Sequence, residues 1–163
     1  MTPRGTGGPV TPDDLDPILV QVTIALPIAM VYQAFIDVKQ LSTWLSDGAS
    51  VVPEVGGRYE LRFDEEPAPF TSRGTILRLA PEHELEFEWI PSPLYEPAVR
   101  ASKAGRSTVY VRFQESPEGI DVTLEHDGWP DSDPGAEARG WHFRFWDERL
   151  TELKAHLLKT AYG

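Results

Sequence analysis

Cysteine is absent from all 163 residues of the chain. Disulfides, thiolate metal sites and cysteine nucleophiles are thereby excluded, and the absence suits a reducing compartment. Long apolar runs are missing as well. No stretch approaches the roughly 20 residues of a membrane-spanning helix, and the opening residues Met1 to Pro9 lack the apolar core of a secretion signal. Basic charge is scarce: 15 Lys and Arg stand against 26 Asp and Glu, a formal net charge of −11. A surface of that sign repels phosphate backbones and anionic lipid headgroups. The arginines Arg58, Arg62, Arg73, Arg78, Arg100, Arg106 and Arg112 are scattered rather than gathered in a patch. Neither nucleic acid nor membrane insertion is expected, and the expected compartment is the cytoplasm.

Catalytic signatures are also lacking. There is no G-x-S-x-G nucleophile motif and no G-x-x-x-x-G-K phosphate loop, and Gly56-Gly57 precedes a strand pattern rather than a helix. Of the histidines His83, His126, His142 and His156, the last two share one predicted helix and stand about 21 Å apart along it. Only His126 and His142 could meet, near the start of that helix, and two ligands do not make a metal site. Asp127, Asp131, Asp133 and Glu137 lack the ligand run of a calcium loop. Asp64-Glu65-Glu66 reads as a solvated turn. No metal, cofactor or catalytic residue is expected.

What is present is alternation. Residues 1–16, rich in Pro, Gly, Thr and Asp, read as a disordered lead-in to one domain over 17–163. Ile18 to Leu26 alternates as a strand. Pro27 opens a helix carrying Met30, Val31, Ala34, Phe35 and Val38, and Leu41, Trp44 and Leu45 mark a second short helix ended by Gly48. Strands are predicted over 49–52, 58–64, 70–79, 84–90, 107–115 and 120–126. Gly74 marks a bulge or close approach. Pro91 to Gly105 reads as a long loop. Asp133 caps, and Pro134 opens, a helix to about Lys159 with a stripe of Phe143, Trp146, Leu150, Leu153 and Leu157. At 1.5 Å per residue it is about 39 Å long, enough to span the sheet. Strands with one dry face, followed by a helix that can cover it, make an α+β domain.

Several segments in this order resemble the START-like (SRPBCC, helix-grip) superfamily. They are Leu26-Pro27 leading to Val31-Tyr32-Gln33-Ala34-Phe35, Leu41 to Leu45, Val55 to Tyr59, Arg73 to Leu77, Ala80-Pro81 with Glu86 to Trp89, and Gly140-Trp141 with Leu150 and Leu153. Within it the chain is similar to bacterial AHSA-like proteins, homologues of the activator of the ninety-kilodalton heat-shock protein ATPase. The resemblance implies a curved antiparallel sheet of six to seven strands around a long C-terminal helix, with two short helices after the first strand.

Parity places Trp44, Phe63, Phe70, Trp89, Val111, His126, Trp129, Trp141 and Phe145 toward the interior or its rim. They are the candidate walls of an apolar cavity. His126 reads as an inward histidine bonded to a neighbour rather than a general base. Three functions follow. The first is binding of a small hydrophobic molecule between sheet and C-terminal helix. The second, implied by the resemblance, is a chaperone-associated interaction domain. The third, also implied by the resemblance, is a cyclase or aromatase with His126, Tyr110 or Arg112 as candidate polar groups, weakened because parity turns Tyr110 and Arg112 outward. The chain is expected as a monomer or homodimer.

Overall fold

Period-two alternation produces the sheet. In the computed structural model, which describes residues 14–64 and 69–163, seven strands form: β1 (Ile18–Ile24), β2 (Gly48–Val51), β3 (Arg58–Phe63), β4 (Phe70–Ala80), β5 (Glu84–Trp89), β6 (Ser107–Ser116) and β7 (Gly119–Asp127). They join in the order β1-β7-β6-β5-β4-β3-β2, and every neighbouring pair is antiparallel. The dry face carries Ile18, Val20 and Ile24 on β1, Tyr59 and Leu61 on β3, Leu85, Phe87 and Trp89 on β5, and Val122, Leu124 and His126 on β7, all buried. Arg112, Gln114 and Glu125 face solvent.

The helices are α1 (Ile28–Gln33), α2 (Val38–Trp44), α3 (Glu96–Arg100) and α4 (Asp133–Tyr162). Pro27 stands one residue before α1 and offers its carbonyl to Met30 and Val31. Gly48 opens β2 rather than simply ending α2. The 30-residue α4 is about 45 Å long at 1.5 Å per residue. It packs on β1, α2 and α3. The chain thus has the helix-grip architecture.

Four local readings need correction. The cap of α4 is Ser132, whose Oγ accepts the Gly135 N–H at 3.1 Å. Asp133 lies in the first turn instead, where its charge suits the helix dipole. The buried stripe of α4 runs Ala138, His142, Trp146, Leu150, Leu153, Leu157, while Phe143 is 42% exposed. Either residue fits the spacing; the imidazole wins the inward place because it can accept a buried indole proton. The predicted 91–105 loop contains α3. Glu96 pairs with Arg100 at 3.2 Å, one turn apart, and Ala98 and Val99 are buried. Finally, the end of the predicted lead-in is fastened. The Leu15 N–H bonds the Trp129 carbonyl at 2.7 Å, the Asp14 carboxylate accepts the Lys103 N–H at 3.0 Å, and Arg139 donates to the Asp16 and Pro17 carbonyls. Residues 1–13, and Glu65 and Glu66 of the predicted acidic turn, lie outside the described residues.

Gly74 has the close approach its position suggests. A Cβ there would collide with the Glu88 backbone carbonyl on β5. The bulge comes two residues later, where the β4–β5 register shifts between Ile76 and Arg78. Because two backbones must part to admit one methyl, Gly74→Ala is expected to cost about 3 kcal/mol, as for overpacked cores. Urea denaturation measures it, and a midpoint unchanged from the parent chain would contradict the collision.

Candidate ligand-binding site

Indole N–H groups are donors only, so a buried tryptophan must find an acceptor. Three tryptophans at the centre of this protein find theirs on or beside two histidines. Trp146 on α4 donates to Nδ1 of His126 on β7 at 2.9 Å. Nδ1 must then be bare, so Nε2 carries the proton and donates to Ser107 Oγ at 3.2 Å. The Ser107 hydroxyl passes its own proton to the Trp89 carbonyl at 2.8 Å. Trp89 donates through its indole to Nε2 of His142 at 3.2 Å. The His142 Nδ1–H ends on the Ala138 carbonyl at 2.7 Å. Trp129 donates to the His126 carbonyl at 2.8 Å. Each imidazole gives one bond and takes one, which fixes both as neutral tautomers.

Burial enforces that neutrality. His126 and His142 are fully buried. Desolvation, then the nearby His142, holds the His126 imidazole well below its ordinary value. Desolvation brings His142 down to about 4 against the opposing pull of the Ala138 carbonyl. The two rings do meet, at 5.4 Å between centroids. With all ring nitrogens engaged, the pair is built to hold sheet and helix together. Among the described residues no group of three metal-ligating side chains converges.

The nine candidate residues separate into four places. Trp89, His126 and Trp129 form the sealed centre, with Trp146 and His142. Trp44 lies apart, its indole bonded to the Ala34 carbonyl at 2.8 Å and its ring against Phe35. Val111 is buried in the sheet between Leu85 and Leu124. Phe63, Phe70, Trp141 and Phe145 gather at one edge. Phe63 stacks on Phe70 at 5.0 Å and Trp141 on Phe145 at 5.4 Å. Phe70, Trp141 and Phe145 keep part of their surface in solvent. Two depressions adjoin Phe145. One, of about 210 Å³, is bounded by Trp141, Arg144, Glu148 and Arg149. The other, of about 300 Å³, is bounded by Ser42, Asp47, Phe63 and Arg149 among others.

Sequence reasoning placed His142 only as a neighbour of His126, and missed Ser107, Tyr95 and Arg149. Tyr95 packs on Trp141 and His142 from the start of α3. The available signal for His142 was its spacing of four from Trp146. Tyr110 and Arg112 sit on the outer face, the tyrosine hydroxyl bonded to Glu84 at 2.6 Å. They are not assembled with His126.

The family described as "Activator of Hsp90 ATPase homolog 1-like protein" matches residues 25–157. The chain belongs to that family. Its AHSA-like members share the SRPBCC fold, and family and fold support a ligand-binding domain in general terms. Solved structures of similar shape include protein MLL2253 of Mesorhizobium loti, with a TM-score of 0.70 and 19% identity over 88% of this chain and 97% of that one. Bacillus halodurans protein BH1534 gives 0.66 and 20% over 88% and 97%. DynU16, a protein of the dynemicin biosynthetic locus, gives 0.68 and 16% over 88% of this chain and 47% of its own. Identities this low establish the shared AHSA-like fold alone. No curated protein matches the chain. Among the described residues no helix is long and apolar enough to cross a membrane.

The neutral histidines make stability depend on pH with a definite sign. The folded value of His142, about 4, lies below its ordinary 6.5. Between these values the unfolded chain binds the extra proton, so stability is full above pH 6.5 and falls as pH drops toward 4. At about 1.4 kcal/mol per pH unit, His142 alone accounts for a loss on the order of 3 kcal/mol. His142→Gln keeps an acceptor for Trp89 without titrating. Its urea stability is expected to fall less steeply than the parent's between pH 7 and 4. Identical slopes would show that His142 is not the titrating group.

Proposed function

We propose that this protein binds a small hydrophobic molecule at the aromatic edge between sheet and α4, entering beside Phe145. The observation that carries the reading is the position of Phe145. Its ring lies 5.7 Å from Phe63, 5.8 Å from Trp89, 5.4 Å from Trp141 and 5.1 Å from Trp146. One half-buried ring therefore stands between two depressions and the aromatic centre, and would have to turn aside for a ligand to reach Trp89. Small-molecule sites usually enclose about 300–1,000 Å³. The ligand's body would meet the rings of Phe63, Trp141 and Phe145, and its rim the polar residues that make up most of both linings, among them Ser42, Asp47, Arg144, Glu148 and Arg149.

The centre itself is filled. Trp89, Trp129 and Trp146 are at most 1% exposed, so the ligand's room comes from the edge and from displacing Phe145. The cyclase reading loses two of its three polar groups to the outer face. The chaperone-associated reading is supported by the family description, and by no surface feature described above.

Titration of a panel of apolar small molecules is expected to quench tryptophan fluorescence and raise the melting temperature, as for any ligand that binds only the folded state. Trp141→Ala removes a half-exposed wall and is expected to weaken binding about tenfold, or about 1.4 kcal/mol. Leu19→Ala, on the outer face of β1, serves as the control. A panel without any stabilising compound, or equal affinity in Trp141→Ala, rejects the site.

A further inference from the structure

We propose that Arg149 makes this site selective for ligands carrying a carboxylate, so that the molecule bound is a small apolar acid rather than a neutral hydrocarbon or alcohol. The inference rests on the binding reading above and names the ligand class of the same site. Arg149 follows Phe145 by four residues on α4, so its side chain leans back over that ring. Its guanidinium carbon lies 5.8 Å from the Phe145 centroid. It bounds both depressions that flank Phe145. No other residue does so except Phe145 itself.

The guanidinium is incompletely used. Among the described residues its Nε–H is buried without a hydrogen-bond partner, and Arg149 takes part in none of their ion pairs. Leaving a buried donor unmade costs about 1–3 kcal/mol, so such a group calls for an explanation. Arg139, ten residues earlier on the same helix, shows the contrast: its Nε and Nη2 are spent on the Asp16 and Pro17 carbonyls. A carboxylate entering as Phe145 turns aside would take the unpartnered Nε–H together with an Nη donor, in the fork geometry that arginine presents.

Local charge agrees. The whole chain carries −11, yet the depression beside Trp141 is bounded by Arg144 and Arg149 against the single acid Glu148. The depression on the other side is bounded by one base, Arg149, and one acid, Asp47. The acid group is therefore assigned to the Trp141 side. The apolar body lies across Phe145 toward Phe63.

The test compares decanoate with decanol, which share a chain and differ in the head, by calorimetric titration of the full chain at pH 7 and low salt. Decanoate is expected to bind about tenfold tighter, the scale of one charge-assisted bond. Arg149→Gln is expected to bring the two affinities within about twofold of each other, chiefly by weakening decanoate. Arg149→Lys keeps the charge but not the fork. Should Arg149→Gln fail to fold, the lysine variant decides: its decanoate preference is expected to drop to about threefold. Equal affinities in the parent chain overturn the carboxylate assignment and leave the apolar site standing. A decanoate preference that survives in the substituted chain assigns it to another group and also overturns the proposal. Binding of neither compound overturns both readings.

Discussion

Three buried indoles and two imidazoles must satisfy one another, and the rest of the structure accommodates that requirement. The chain of bonds has one direction. It runs from Trp146 through His126 and Ser107 to the Trp89 carbonyl, and from the Trp89 indole through His142 to Ala138. Exchanging the tautomer of either histidine would set two donors against each other and strand an indole in an apolar interior. Because β5, β6, β7 and α4 each supply a member, the helix can seat on the sheet in one rotation and one register. A purely aliphatic interior of the same volume would tolerate sliding. Here polar geometry fixes the alignment, and dispersion among the stacked rings supplies adhesion.

Period and parity carried most of the fold. Glu84 to Trp89, Ser107 to Ser116 and Gly119 to Asp127 alternate so regularly that the buried face follows directly, and His126 falls inward by the same count. Errors arose where two residues satisfy one period. His142 and Phe143 compete for a single inward place on α4. Hydrophobicity favours the phenylalanine, and only the unseen indole of Trp89, 53 residues away, favours the imidazole. Segments 14–16 and 91–105 misled for a related reason. Their order comes from partners far along the chain: Trp129, Lys103 and Arg139 for the first, α4 for the second. Of the candidate walls, parity found which rings turn inward. It did not distinguish a sealed ring from one at an edge, because that depends on where the curved sheet ends against the helix.

The edge around Phe145 differs from the centre in the kind of residue that closes it. At the centre every ring is bonded or stacked on all sides. At the edge, phenylalanines and a half-exposed tryptophan meet water with no polar bond to hold them. Phenyl rings without hydrogen bonds turn at little cost, whereas the bonded indoles do not. Rigidity and plasticity are thus separated around α4: the face of His142 and Trp146 fastens the helix, and the neighbouring Phe145 and Arg149 face the depressions.

The pairing of β1 with β7 has a consequence for synthesis. Ile18 lies opposite His126, so the first strand made has no partner until the last strand has left the ribosome. At about 5–20 residues per second the wait is about 5–20 s. During it, the apolar row Ile18, Val20 and Ile24 stays exposed on an open strand edge, a hazard for misassociation. The long helix, made after β7, then packs across β1. Folding of the nascent chain is accordingly a late, concerted event rather than a progressive one.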